Sequence, residues 1–430
     1  MNNLVRALKK HERAYHRLLY TLTLVKMIGV SIVLLVVMNT SLPIRAQNES
    51  SSVTPVKNIV QVSAGGDVTC VLTHNSGVRC AGMDMTGYMA GYFPFLADVS
   101  GFEQTPTFLL AGAGRACVAL KGFGAQCWGS NFAGALGVPS IDIIQGYAVT
   151  PTRVISLTEK ILKIANSGNH TCALTEQGVV KCWGDNQLGE LGDGTTTNSL
   201  FPVTVVNLTE EVIDIASGQV HSCVVLKSGG VKCWGGSYQG QVGGNSYPFR
   251  TTPIDVPDLA SGVQSVVGGG YHTCALTTIG TVKCWGGGNQ GQLGNGSSGD
   301  STIPVTVTGI TSTVIAISAG SGHTCALDNV GKIWCWGSNE WGQVGVKELE
   351  TYFNTPVEVQ GLAGKAISIS CGYGHTCALF EDSTVMCWGN NSSGQLGDGS
   401  INRRGTPAVM VELPINYLPL MMTGAANEVK

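Results

Sequence analysis

Seven times along this 430-residue chain two cysteines stand ten positions apart: Cys70 and Cys80, Cys117 and Cys127, Cys172 and Cys182, Cys223 and Cys233, Cys274 and Cys284, Cys325 and Cys335, Cys377 and Cys387. From Cys172 onward the pairs return every 51 or 52 residues. A fixed period near 50 residues means that one small unit is built repeatedly and stacked on itself. That restricts the chain to an array, a solenoid or a propeller.

The unit at residues 202–235 shows the internal plan. "PVTVV" is an apolar, β-branched run and "NLTEE" a turn. "VIDIAS", "HSCVVL" and "VKCWG" are three more short runs, separated by the glycine loop "GQV" and the turn "KSGG". Apolar runs of this length between turn residues read as strands. Four per unit make one antiparallel sheet, and seven such sheets make an all-β, seven-bladed propeller. With 59 glycines and only 12% charged residues, the composition fits a turn-rich β protein. The short "NLTEE" turn makes the Pro-Val strand the expected first strand of each blade. Unit 1 has no such strand before Ile59, so residues 406–413 are expected to supply it and close the ring.

Centring a hairpin on "TEQG" sets Cys172 opposite Cys182. Opposed residues of a non-hydrogen-bonded antiparallel pair lie about 4.5 Å apart at Cα, within the disulfide range. An exported chain would oxidise such pairs, and each 11-residue loop so closed is worth about 2.7 kcal/mol in the chain-entropy model. Reduced core thiols and a metal are the alternatives. His170 points to the same side as Cys172, so with Cys182 the three form a partial zinc set. Units 1 and 2 keep their cysteines but have Val68 and Arg115 where the His should stand, whereas a metal site should lose its ligands together. Disulfides and no metal or other cofactor are therefore expected. The five histidines (170, 221, 272, 323, 375) are expected to bond local backbone at the glycine loop. Cys371, the fifteenth cysteine, occupies the position of Ala319 and Ser217 and reads as a small buried residue.

The first 46 residues differ. Arg6, Lys9, Lys10, Arg13, Arg17 and Lys26 precede and abut the apolar run "MIGVSIVLLVVM", and "NTSLPIRA" ends at Ala46. This is the pattern of a cleaved secretory signal, with an uncleaved N-terminal membrane anchor over 18–38 as the alternative. Residues 47–56 read as a linker, 57–413 as the propeller and 414–430 as a tail. Beyond residue 46 there remain 18 basic and 27 acidic residues, a net charge of −9. Such a chain is a poor partner for nucleic acid, and it meets a membrane only if the N-terminal segment stays on.

The stretches "CWGDNQLGELGDG" (182–194), "CWGGGNQGQLGNG" (284–296) and "CWGNNSSGQLGDG" (387–399) follow His-Thr-Cys-Ala-Leu-type strands in register. This pattern resembles the regulator of chromosome condensation repeat in its cysteine-rich bacterial form, over about residues 57–413. The resemblance implies a seven-bladed propeller, in agreement with the spacing. Unit 1 departs most, with Ala81 in place of Trp and Pro94 only 14 residues after Cys80. Relatives of this type hold other proteins on their loop faces. The eukaryotic namesake promotes guanine-nucleotide exchange on a small GTPase and binds chromatin; an exported acidic chain without a basic tail argues against both roles here.

No catalytic constellation stands out, and Asp185, Asn186 and Asp193 read as turn formers between glycines rather than a calcium site. The sequons at Asn169, Asn207, Asn295, Asn390 and Asn391 matter only in a glycosylating pathway. The leading expectation is therefore a non-enzymatic, secreted or surface-exposed protein-binding propeller. The alternatives are an exchange-factor-like regulator of a small GTPase, and an enzyme or carbohydrate-binding protein with its site at the central shaft. Strand direction reverses at every turn, so the loops before His and after Cys-Trp-Gly share one face. Their variable positions are the candidate binding residues: Asn169, Val220, Tyr271 and Tyr373 before the His, and Phe132, Leu188, Tyr238 and Trp341 after Trp-Gly.

Overall fold

The computed structural model describes residues 54–83, 92–139, 142–144, 146–244, 246–347 and 350–412. The expected signal or anchor (1–46), with its helix, and the 414–430 tail lie outside the described residues. So does most of the linker.

Seven four-stranded antiparallel sheets follow one another in chain order, spanning 59–99, 106–153, 161–204, 212–255, 263–306, 314–358 and 366–409. Among the described residues no helix is long and apolar enough to cross a membrane. Blade 3 is representative. Its strands are Ile161–Asn166, His170–Thr175, Val180–Gly184 and Ser199–Thr204, paired in sequence order. The first strand of every blade lines the central shaft. The second and third strands are almost wholly buried, because each blade is covered on its two faces by its two neighbours. Their near-continuous apolar runs follow from that burial.

Each cysteine of a second strand stands directly opposite a cysteine of the third. Cys70 faces Cys80, Cys117 faces Cys127, Cys172 faces Cys182 and Cys223 faces Cys233. Cys274 faces Cys284, Cys325 faces Cys335 and Cys377 faces Cys387. All seven pairs are disulfides, with Cα atoms 4.1 Å apart, so the expected intra-hairpin pairing holds in every blade. Cys371 is the one free cysteine among the described residues, and it is buried.

The expected blade order needs correcting. The Pro-containing strand does not open a blade; it closes one. Ser199–Thr204 pairs with the Cys-Trp-Gly strand before it, and in blade 1 Tyr92–Val99 pairs with Val78–Met83 before it. "NLTEE" is therefore the step from the outer edge of blade 3 to the inner strand of blade 4, not a hairpin turn. Residues 406–409 belong to Arg404–Val409, the fourth strand of blade 7, and do not complete blade 1.

The ring closes instead by contacts between complete blades. Ala64 N–H donates to Ser370 Oγ at 2.9 Å and Tyr373 N–H to Gly65 O at 2.9 Å. The termini add short bridges, Pro55 with Val411 antiparallel and Leu96 with Glu412 parallel. The alternation of turns is unaffected by the corrected order. The loops between first and second strands and those between third and fourth strands still share one face.

Candidate partner-binding face

The loops of that face are fixed by a repeated lock between neighbouring blades. At the junction of blades 4 and 5, His221 Nε2 lies 2.8 Å from Thr273 Oγ1. Thr273 donates its hydroxyl proton to Gln241 O at 2.9 Å, and Trp285 Nε1–H donates to the same carbonyl at 2.9 Å. The hydroxyl proton is thus committed, so His221 must be the donor from Nε2. Gln241 belongs to the third-to-fourth-strand loop of blade 4, while Thr273 and Trp285 belong to blade 5. The same set recurs as His170–Ser222–Glu190–Trp234, His272–Thr324–Gln292–Trp336 and His323–Thr376–Gln343–Trp388. His375 reaches Thr69 of blade 1 at 2.8 Å.

The histidines therefore bond the next blade's hydroxyl, not the local backbone as expected. Their Nδ1 atoms have no partner. Burial pushes His170, His221, His323 and His375 down to about 3 and His272 to about 4, so all five are neutral imidazoles. The loop glycines make the approach possible. At Gly192, φ is +68°, and a Cβ would lie 2.7 Å from the Trp234 indole nitrogen.

Where the His is missing, the partner changes too. Val68 of blade 1 precedes a blade 2 that carries Ala116 at the hydroxyl position. Arg115 of blade 2 is buried and donates from Nη1 to Gly168 O of blade 3 at 2.6 Å.

On this scaffold the candidate residues divide. Phe132 (62% exposed), Tyr238 (52%), Trp341 (44%) and Tyr271 (40%) present aromatic surface to solvent. Trp341 also lies with one edge against Gly374 of the next blade. Leu188 is half-buried against Gly236, and Asn169 and Val220 are half-buried as well. Tyr373 is placed differently from the rim positions. It precedes His375 by two residues, not one, so its side chain turns to the axis. Its hydroxyl donates across the shaft to Ser167 O of blade 3 at 3.3 Å. Tyr247, not among the sequence candidates, is 72% exposed and stacks edge-on against Tyr238 with centroids 6.1 Å apart. Its place in the same loop was the available signal.

The shaft holds a cavity of about 150 Å³ lined by small residues such as Ser63, Ala165, Ser217 and Gly268. That is below the roughly 300–1,000 Å³ of ordinary ligand pockets. The lysine that reaches it, Lys163, is ion-paired with Asp214 at 2.5 Å, and Asp214 also accepts Val266 N–H. Among the described residues one group, His323, Cys325 and Cys371, brings three possible metal-binding atoms within 4.8 Å. Cys325 Sγ is already bonded to Cys335, and burial pushes the Cys371 thiol up to about 12. Asn186 and Asp193 act as loop formers: the Asn186 amide accepts Leu191 N–H and donates to Asp193 and Thr195.

The geometry defines a repeat propeller whose loops are pinned blade to blade. A family model described as the RCC1-like domain matches residues 107–427, and the chain belongs to that family. It is 34% identical over 262 residues to the ultraviolet-B receptor UVR8 of Arabidopsis thaliana, covering 60% of this chain and 59% of UVR8. It is 30% identical over 308 residues to the human E3 ubiquitin-protein ligase HERC2, covering 70% of this chain and 6% of HERC2. The mitochondrial RCC1 domain-containing protein RUG3 of Arabidopsis thaliana is 32% identical over 301 residues, 66% of each chain. Among solved structures, yeast RCC1 (Prp20) bound to Kap60 superposes with a TM-score of 0.68 at 19% identity, covering 85% of this chain and 90% of that one. Human WBSCR16 gives 0.67 at 22%, covering 74% and 85%. At these identities the structural likeness speaks to the fold.

Proposed function

We propose that this chain is an exported, non-enzymatic propeller that holds a protein partner on the face carrying the loops before His and after Cys-Trp-Gly. The observation that carries the reading is the set of exposed aromatics, Phe132, Tyr238, Tyr271 and Trp341, on loops fixed by the inter-blade locks. Large aromatics held rigidly at a surface lose little entropy on binding and are typical interface anchors. Seven disulfides support an oxidising compartment, and the basic-then-apolar N-terminal segment supports export. Family membership is consistent with a protein partner: the solved structure of yeast RCC1 is a complex with Kap60, and another concerns Prp20p binding to Gsp1p and histones. An exchange-factor role remains the second reading on that kinship alone. An enzyme at the shaft is disfavoured by the small cavity.

The test is capture of a partner from extracellular fluid by the full chain and by Tyr238→Ala, Tyr271→Ala and Trp341→Ala variants. Weaker capture at unchanged melting temperature supports the face. Lowered melting with intact capture makes the aromatics structural and removes the assignment.

A further inference from the structure

Charge on this face is distributed unevenly. In blades 2–5 its loops are residues 112–114, 131–146, 167–169, 185–198, 218–220, 237–248, 269–271 and 287–300. They contain Asp142, Asp185, Glu190, Asp193 and Asp300 and no Lys, Arg or His. Asp300 is exposed and Asp185 and Asp193 half-exposed, whereas Asp142 lies away from the face, in a recess shared with Arg153 and the opposite-face residues 156–158. None of these four enters an ion pair among the described residues. Arg250, in the fourth strand of blade 4 (Phe249–Asp255), borders the sector and donates from Nη1 to the carbonyls of Ser246 and Phe249. The cationic loop residues of this face, Lys347 and Arg403, lie in blades 6 and 7.

The asymmetry is not a simple consequence of an acidic chain. On the opposite face the loops of the same blades carry Lys121, Lys160 and Lys227 among their acids. The sector whose loop residues include no Lys, Arg or His is also where Phe132, Tyr238, Tyr247 and Tyr271 are exposed. Carboxylates without ion-pair partners, on the same loops as open π faces, form a surface that attracts positive charge at long range and receives it at contact. An ammonium or guanidinium over a tyrosine or phenylalanine ring is drawn to the negative face of its π system. The surrounding negative potential raises the rate of encounter.

We propose that the blade 2–5 sector of this face binds an extended partner segment rich in arginine or lysine. This rests on the reading that the face binds protein, and specifies the chemistry of what it binds.

The probe is a fluorescent oligo-arginine peptide titrated into the full chain, with a glycine-serine peptide and an oligo-glutamate peptide of equal length beside it. Three proteins are compared: wild type; the sector variant Asp185→Asn/Asp300→Asn; and an opposite-face variant of equal charge change, Glu210→Gln/Asp258→Asn. A fourth, Tyr238→Ala/Tyr247→Ala, removes π surface without changing charge. The arginine peptide should bind wild type, and weaken about tenfold in the sector variant and several-fold in the tyrosine variant. The opposite-face variant should change it less than about twofold. Binding should weaken steeply from about 50 to about 300 mM salt. Equal loss in the two charge variants reduces the effect to net charge and overturns the proposal. So does equal binding of the glycine-serine peptide, or no binding of the arginine peptide. If the peptide fails while Tyr271→Ala and Trp341→Ala still weaken capture of a native partner, the face stands and only its proposed chemistry falls.

Discussion

Glu190 is the place where the repeat breaks its own rule. Gln241, Gln292, Gln343 and Gln395 hold the equivalent position, and each accepts the backbone N–H two residues before it at 2.9–3.0 Å. Glu190 makes the same bond, with Leu188 N–H at 2.8 Å. Its carboxyl is buried, and burial pushes it up to about 7 from an ordinary 4.5. A carboxyl whose folded value is raised is bound more tightly to its proton in the native state. Its stabilising contribution is complete below about pH 4.5 and is lost as pH rises through about 7. At about pH 8 the ionised group therefore costs about 3 kcal/mol. Glu190→Gln removes that cost while keeping the bond to Leu188. The new Nε2 faces the problem of Gln241, whose Nε2 is buried without a partner, at a cost of about 1 kcal/mol. The net gain is about 2 kcal/mol at about pH 8, shrinking to about 1 at about pH 6, and amounts to roughly 3 °C in melting temperature for a domain of this size. Differential scanning of variant against wild type at the two pH values measures it, and the difference cancels every other titrating group. A variant that melts with wild type at the higher pH, or whose gain does not shrink toward acid, refutes the reasoning.

The five buried histidines run the other way: their folded values are depressed, so their contribution is present above about pH 6.5 and lost below it. Because all five titrate together, stability should fall toward roughly 7 kcal/mol per pH unit below that point, visible as cooperative acid unfolding by circular dichroism with disulfides intact. His272→Val and Thr324→Ala should each destabilise by about 1–3 kcal/mol, and the double variant by less than their sum, since Val68 followed by Ala116 is a native apolar solution at the same junction. Additive losses in denaturant titration would show the pair is not coupled. Truncation after residue 405 should cost roughly 5 kcal/mol or more, because it strips the outer strand from Cys387 and removes the fully buried Met410, whose carbonyl accepts Val56 N–H at 3.2 Å. A truncated chain that melts like the full one would show that the terminal contacts carry no stability.

The sequence made some of this legible and hid the rest for physical reasons. Strand residues alternate sides with a period of two, so a turn at "TEQG" can place Cys172 only opposite Cys182. The disulfides follow from that register, and the blade count from the seven repeats of the unit. Blade order does not, because it depends on which of two connections is a hairpin. The usual preference for short hairpin loops points to "NLTEE", yet that segment steps between sheets. The true hairpin connection is the long loop 185–198. Its length is sustained by internal bonds: Asn186 and Asp193 organise it, and Gly192 lets Trp234 of the next blade pack beneath. Tyr373 falls one position away from the rim register. Counting back from His375 aligns it with Gly270, not Tyr271, and one residue of register separates the axis from the rim.

The inter-blade lock was written in the sequence in a form that only the fold makes readable. His221 and Thr273 are 52 residues apart, and nothing local links them. Yet the chain keeps a hydroxyl wherever the preceding unit has a His, and drops to Ala116 after Val68. That concordance follows from desolvation. A buried hydroxyl or imidazole without its partner costs about 1–3 kcal/mol, so the two positions are acceptable when both are polar or both apolar. The same lock bears on function. Each set ends on a carbonyl of a loop on the candidate face, at Glu190, Gln241, Gln292 and Gln343. The bonds that join the blades therefore also hold the loops that carry Leu188, Tyr238 and Trp341. A ring stiffened in this way presents its aromatics already ordered. A partner meeting this face then need not supply the free energy of ordering it.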